Sequence, residues 1–263
     1  MTVKRFEAFV DNYIWGIESN NNLLIVDPGD SEPIKKFLHN SSDVKIAGIL
    51  ITHHHKDHIG GIRQLINSTN SNFFSENKIK FNNPKTFSGI PVIGPIGFEK
   101  YGVTVPVIEG ELFAFGEMEF TVLEIPGHTS DHIGYLCKSS LHKNNLSVFC
   151  GDTLFAAGCG KVLGGTFPEL FNSLKRLSKL PENTLIYCAH EYTLANIEFA
   201  SHLFPNDLNI QKRKSAIQNS RRLGLPTIPS TIKEEIQTNP FLRCMNPKEF
   251  SEMRIAKDNW NPS

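Results

Sequence analysis

No apolar run in this chain approaches the roughly 18–20 residues that a membrane-spanning helix needs, so no helical span is expected. An excess of charge is missing too. Lys and Arg together number 27, as do Asp and Glu, and the pI is about 7.1. A dedicated nucleic-acid or membrane surface is therefore not expected. Cysteines are few: Cys137, Cys150, Cys159, Cys188 and Cys244 are odd in number, scattered, and form no C-x-x-C pair. That excludes a disulfide framework and a cysteine zinc site, and leaves them as small buried apolar residues in a reducing cytoplasm. Met1 to Val10 holds two basic residues with no apolar stretch behind them, so a cleaved secretory leader is not expected.

What is present is ordinary for a globular protein. The 263 residues, 40% hydrophobic and 21% charged, suffice for one large domain or one domain with a smaller addition. Leu23–Val26, running into Asp27-Pro28-Gly29-Asp30, reads as a buried strand ending in a turn. A helix over Ser31–Leu38, a strand over Ile46–Ile51 and a helix over His58–Ile66 are expected next. Asn67 to Pro84, rich in Asn, Ser and Lys, reads as a long surface loop. Strands are expected at Pro91–Ile93, Glu111–Phe115, Glu119–Ile125, Ile133–Cys137, Ser147–Cys150 and Thr184–Cys188, with a helix at Pro168–Leu177. Beyond Glu191 the pattern is helical over Tyr192–Leu203 and Ile210–Leu223. It is then extended over Pro226–Pro240 and helical again over Pro247–Lys257. The order predicts a layered α/β domain over 1–190 and a small helical domain over 191–263.

The chemistry is concentrated in Thr52-His53-His54-His55-Lys56-Asp57-His58. Directly after a strand, an extended chain turns His53 and His55 to one side and His54 to the other. His53 and His55 can then share one metal ion, while Asp57 and His58 reach a second. Imidazole and carboxylate donors suit Zn²⁺, Fe or Mn²⁺. With ten histidines in the chain, an H-x-H-x-D-H window arises by chance on the order of once in two thousand such sequences, which licenses a motif reading. Further donors belong at other strand ends, where His128, Asp152 and His190 stand. Asp152, with two carboxylate oxygens, is the natural bridge. His39, His54, His132, His142 and His202 read as structural or surface residues, with His132 placed to orient His128 or its neighbours.

This pattern resembles the metallo-β-lactamase superfamily, and within it the hydroxyacylglutathione hydrolase (glyoxalase II) family. The markers run from Phe9-Val10-Asp11-Asn12-Tyr13 through Val26–Gly29, Thr52–His58, Gly127-His128-Thr129, Gly151–Phe155, Gly158–Lys161 and His190–Thr193 to Arg254–Lys257. The resemblance implies an αββα sandwich followed by the helical domain. It implies two divalent metal ions per chain, zinc first among them. His53, His55 and His128 would hold one ion and Asp57, His58 and His190 the other, with Asp152 and a hydroxide bridging. It also implies that Lys161, Tyr192, Arg254 and Lys257 bind glutathione, the last two at i, i+3 on one helix face. The implied reaction is hydrolysis of S-D-lactoylglutathione to glutathione and D-lactate, the second step of methylglyoxal detoxification, by a cytoplasmic monomer. Leu163 stands where some relatives have a tyrosine that contacts glutathione.

In that reading Asp57 is also catalytic, accepting a hydrogen bond that orients the hydroxide. The thiolate leaving group, with a conjugate-acid pKa of about 8.5, requires no strong general acid. Competing readings are a lactonase, a β-lactamase, a phosphodiesterase, an iron-dependent persulfide dioxygenase and a binding module without metal. A β-lactamase of the common type carries cysteine where Asp152 stands, and all the ligand positions are filled here.

Overall fold

The computed structural model describes residues 2–41, 43–67, 75, 78–139 and 146–260. The chain divides into two compact units, residues 1–124 with 133–145 and residues 125–132 with 146–263.

The first unit holds strands β1 (Thr2–Ala8), β2 (Asn12–Ser19), β3 (Asn22–Val26), β4 (Lys45–Leu50), β5 (Ile79–Phe81), β6 (Val92–Pro95), β7 (Val105–Val107), β8 (Leu112–Phe115), β9 (Met118–Glu124) and β10 (Ile133–Ser139). Its helices are α1 (Glu32–Asn40), α2 (Lys56–Ile59) and α3 (Ile62–Asn67). One sheet runs β1-β2-β3-β4-β6-β7, antiparallel across β1, β2 and β3 and parallel from β3 onward. Its central strands are continuous apolar runs because parallel strands are covered on both faces. Leu23, Leu24, Ile25, Ile46, Ile49 and Leu50 are all inaccessible to solvent. In α1, Ile34 and Leu38 lie at i, i+4 and join the core cluster formed with β3, β4 and α3. Strands β5, β8, β9 and β10 pair antiparallel in that order. In β9 buried Met118, Phe120 and Val122 alternate with Glu119 and Thr121. The buried Tyr135 hydroxyl of β10 donates to the carbonyls of Ile51 and Ile93, tying this layer to the ends of β4 and β6.

The second unit holds β11 (Leu146–Gly151), β12 (Leu154–Phe155), β13 (Gly158–Cys159), β14 (Leu185–Cys188) and β15 (Ser230–Thr231). Its helices are α4 (Phe167–Leu177), α5 (Thr193–Leu203), α6 (Leu208–Arg222), α7 (Ile232–Thr238), α8 (Pro240–Arg243) and α9 (Pro247–Asp258). Strand β11 pairs parallel with β14 after the α4 crossover, and β15 adds antiparallel to β14. Except in α5, the helix starts carry side-chain caps: Thr166, Asp207, Thr231, Asn239 and Asn246 each accept a backbone N–H of the first turn. Helices α5 and α6 pack around Ile197, Ala200, Ile210 and Ile217, and Phe250 of α9 meets Phe171, Phe167 and Phe241.

Most expected elements are present, while β7, β12, β13 and α8 were not expected, and the following expectations are corrected. The helix expected over His58–Ile66 is two helices broken at Gly60-Gly61, because both glycines pack against backbone. A Cβ at Gly60 would lie 2.6 Å from the Gly29 carbonyl oxygen, and one at Gly61 2.6 Å from that of Pro28. Within the expected loop at 67–84, Ile79 and Phe81 form β5 by pairing with β8, a contact too short to register as a pattern. Residues 68–74 and 76–77 of that loop, and His142, lie outside the described residues. The extended stretch expected over Pro226–Pro240 contains β15 and α7, so the segment after Glu191 is not helical alone. The N-terminal hairpin β1–β2, absent from the expectation, reads poorly because β1 is only partly buried. Among the described residues no helix is long and apolar enough to cross a membrane.

Candidate metal centre

In the first unit the donors follow β4. The chain leaves β4 at Leu50, bends at Thr52, is extended at His55 and enters α2 at Lys56. Asp27, at the end of β3, organises this segment. Its carboxylate accepts from the Thr52 N–H (2.8 Å), the Thr52 hydroxyl (2.7 Å) and His58 Nδ1 (2.9 Å). Since the Thr52 hydroxyl proton goes to Asp27, its oxygen accepts from His53 Nδ1 at 3.0 Å. These bonds assign the tautomers: both His53 and His58 carry their proton on Nδ1 and present a lone pair at Nε2. His53 Nε2 stands 3.0 Å from His55 Nδ1, and His58 Nε2 stands 3.6 Å from Asp57 Oδ2. The Asp57 carboxylate is oriented by Asn12, whose Nδ2 donates to Oδ2 at 3.0 Å. Asp27, His53 and His58 can also bring ligand atoms within 4.8 Å of one another.

His54 faces elsewhere. Its ring stacks on Tyr101 (5.6 Å, 12°) and meets Phe98 edge-on. It also lies edge-on to the His55 ring at 5.2 Å.

In the second unit His128, Asp152 and His190 converge. Gly127, at φ +135°, makes the approach of His128 possible, since a Cβ there would lie 2.3 Å from Leu170 Cα of α4. His128 Nδ1 donates to the Lys161 carbonyl at 2.7 Å, leaving Nε2 as the acceptor. Asp152 follows β11, and its Oδ2 lies 3.5 Å from His128 Nε2 and 3.4 Å from His190 Nε2. All three side chains are buried. Two donors bound to one tetrahedral ion at 2.0–2.2 Å stand about 3.3–3.6 Å apart, so these spacings fit metal ligation. His132, expected to orient His128 or its neighbours, accepts the Asp152 backbone N–H at Nε2 (3.2 Å) and lies 3.3 Å from the Thr153 hydroxyl. It positions Asp152.

The five cysteines are buried thiols. Burial pushes the Cys137 and Cys150 thiols up to about 12 and those of Cys159 and Cys244 up to about 11. They are not thiolates at neutral pH, and the donor set is nitrogen and oxygen.

Of the residues expected to contact substrate, Tyr192 is 38% exposed and stacks on the His190 ring at 4.6 Å. The Lys161 side chain is exposed, and Leu163 is 60% exposed. Arg254 is not on a solvated helix face: it is 3% exposed. It donates to the Cys159 carbonyl (2.9 Å) and to Asp258 (3.1 Å), and lies over the Phe241 ring. Lys257 donates to the Ala195 carbonyl at 2.7 Å and lies over the rings of Trp260 and Phe199. Sequence reasoning assigned no role to Asp27, Thr52 or Asn12. The available signal was a carboxylate directly after a fully apolar strand, which must be paired if it is buried.

The metallo-β-lactamase superfamily model matches residues 9–190, and the model for the hydroxyacylglutathione hydrolase C-terminus matches residues 191–260. A hydroxyacylglutathione hydrolase of Prochlorococcus marinus (strain MIT 9211) is 42% identical, with 98% of this chain and 96% of that protein covered. One of Vibrio parahaemolyticus is 39% identical over 100% of this chain and 94% of its own. Among solved structures, ETHE1 from Myxococcus xanthus shares the fold at a TM-score of 0.66 and 23% identity, covering 100% of this chain and 92% of that one.

Proposed function

The chain belongs to the hydroxyacylglutathione hydrolase family of the metallo-β-lactamase superfamily, and from that membership we propose that it cleaves S-D-lactoylglutathione and related 2-hydroxyacylglutathiones to glutathione and the free 2-hydroxy acid. Residues 1–190 are assigned as the metal-binding catalytic domain and 191–263 as the domain that contributes to glutathione binding. His53, His55 and His128 would hold one ion, Asp57, His58 and His190 a second, and Asp152 would bridge. Zinc suits these borderline donors, as do iron and manganese. Bound divalent ions would lower the pKa of water towards about 7 and polarise the thioester carbonyl.

The protein's own side chains supply orientation. Asp57, held by Asn12, accepts a hydrogen bond from the attacking water and aims it. Asp27 and the Lys161 carbonyl hold the imidazoles of His58 and His128 in the ligating tautomer. Lys161, Tyr192, Arg254 and Lys257 would contact the glutathione moiety, away from the reacting carbonyl. The leaving thiolate departs without a general acid, because its conjugate acid has a pKa of about 8.5.

The observation that carries the reading is Asp152 Oδ2 within 3.5 Å of His128 Nε2 and 3.4 Å of His190 Nε2, on a chain 42% identical over 98% of its length to a protein named hydroxyacylglutathione hydrolase. Steady-state assays with S-D-lactoylglutathione, nitrocefin, a lactone and a phosphodiester test it. The glutathione thioester is expected to give the highest kcat/KM, with activity lost on chelation. Preference for any of the other three substrates would refute the assignment.

A pH dependence follows from Lys257. Burial, with the neighbouring Arg254 charge, pulls its pKa down to about 8. Its ammonium is therefore present below about pH 8 and lost above it. If that charge holds a glutathione carboxylate, KM for the thioester rises as pH increases from about 7 to about 9, and kcat/KM for the free enzyme falls with it. Lys257→Arg, charged throughout, is expected to keep KM flat. A wild-type KM that does not change across this window removes Lys257 from the clamp.

A further inference from the structure

Between Asp152 and Lys161 the chain makes a two-stranded ribbon, β12–β13, with Leu154 opposite Cys159 and Phe155 opposite Gly158. Its turn residue Ala157 has φ 56°, a left-handed conformation that costs a side-chain-bearing residue energy and must be held from outside. The holders all come from the last third of the chain. The Ala157 N–H donates to Glu235 Oε2 at 2.7 Å. Asn239 Nδ2 donates to the Gly158 carbonyl at 2.9 Å and lies 3.3 Å from that of Phe155, and Asn196 Nδ2 donates to the Ala156 carbonyl (3.1 Å). Gly158 is packed so closely on Asn196 that a Cβ would lie 2.4 Å from its Nδ2.

Glu235 is wholly inaccessible to solvent. Its other oxygen receives Arg213 NH2 at 2.6 Å, and Asn239 Nδ2 donates to Oε2 at 2.9 Å. A buried carboxylate is costly unless it is paired and fully hydrogen-bonded, and this one is both. What that carboxylate grips leads directly to two of the donors. At the base of the ribbon Gly160 sits against Asp152, where a Cβ would lie 2.0 Å from the Asp152 carbonyl oxygen, and the Gly160 N–H donates to Thr153. One residue further, the Lys161 carbonyl fixes His128 Nδ1.

We infer that Glu235, paired with Arg213 and accepting the Ala157 N–H, is a positioning residue that sets the ribbon on which Asp152 and His128 depend for their placement as metal donors. The inference rests on the reading of Asp152 and His128 as donors. It makes residues of α6 and α7, distant in sequence from the ligands, determinants of metal affinity.

Two full-length double variants test it, both relieved of the buried charge pair so that neither leaves an uncompensated charge. Arg213→Met with Glu235→Met removes the acceptor for Ala157, whereas Arg213→Met with Glu235→Gln restores a neutral one. Zinc affinity is read by chelator competition, and exchange of the Ala157 amide by hydrogen–deuterium exchange on the zinc-loaded protein. The Met/Met protein is expected to bind zinc about tenfold to a hundredfold more weakly, the range typical of groups that orient ligands, with faster Ala157 exchange and an unchanged KM. The Met/Gln protein is expected to recover both zinc affinity and protection. Equal weakening in the two variants assigns the effect to general stability and overturns the inference, as does wild-type affinity in both. Asp152→Ala retaining its full zinc would instead strike at the donor reading on which the inference stands.

Discussion

Asp152→Ala is expected to lose metal from both proposed ion positions and at least about a thousandfold in kcat, while the chain keeps its fold. The carboxylate lies between His128 Nε2 and His190 Nε2, 3.5 Å and 3.4 Å away, and so is within reach of both imidazoles. Charge stabilisation by bound metal contributes several kcal/mol to a transition state, and about 4 kcal/mol is a thousandfold in rate. The backbone at residue 152 is held independently of its side chain. The Asp152 N–H donates to His132, and Gly160 closes on the Asp152 carbonyl. The alanine variant should therefore match the wild type in its metal-free circular dichroism. Asp152→Asn, which retains one donor oxygen, is expected to fall between the two. Elemental analysis finding close to two metals per chain in Asp152→Ala would end the bridging role.

A contrast between adjacent histidines has the second largest expected effect. His55→Ala should lose metal and nearly all turnover, because His55, whose Nδ1 lies 3.0 Å from His53 Nε2, is assigned as a donor to the same ion. His54→Ala should keep its metal and most of its kcat. The ring of His54 is stacked on Tyr101 and set edge-on to Phe98, so its removal costs packing, about 0.5–1.5 kcal/mol, and no ligand. Metal content and thermal unfolding of the two variants separate these outcomes. Loss of metal from both to the same extent would mean that the segment does not alternate as an extended chain, and the ligand assignment would shift.

The candidate donors were legible in the sequence because the chemistry is local. An H-x-H-x-D-H run directly after a β-branched strand can alternate in only one way, and His128, Asp152 and His190 recur at the ends of apolar strands. The layered α/β pattern followed by helices was legible for the same reason: strands buried on both faces read as unbroken apolar runs. Short or edge elements were not. β5 and β15 exist only because a neighbouring strand supplies their hydrogen-bond partners, and Gly60-Gly61 splits a helix only because the Pro28-Gly29 turn packs on it.

The tertiary structure alone decided which groups serve the donors. Asp27 reaches Thr52 and His58 across 25 and 31 residues of sequence, Asn12 reaches Asp57 across 45, and Glu235 reaches Ala157 across 78. It also decided that Arg254 is buried against the Cys159 carbonyl rather than lying on a wetted helix face. The physical reason is common to all four. A ligand type is a property of one residue and its spacing, whereas the tautomer of an imidazole, the aim of a carboxylate and the burial of a guanidinium depend on partners. The chain brings those partners into range only once it has folded.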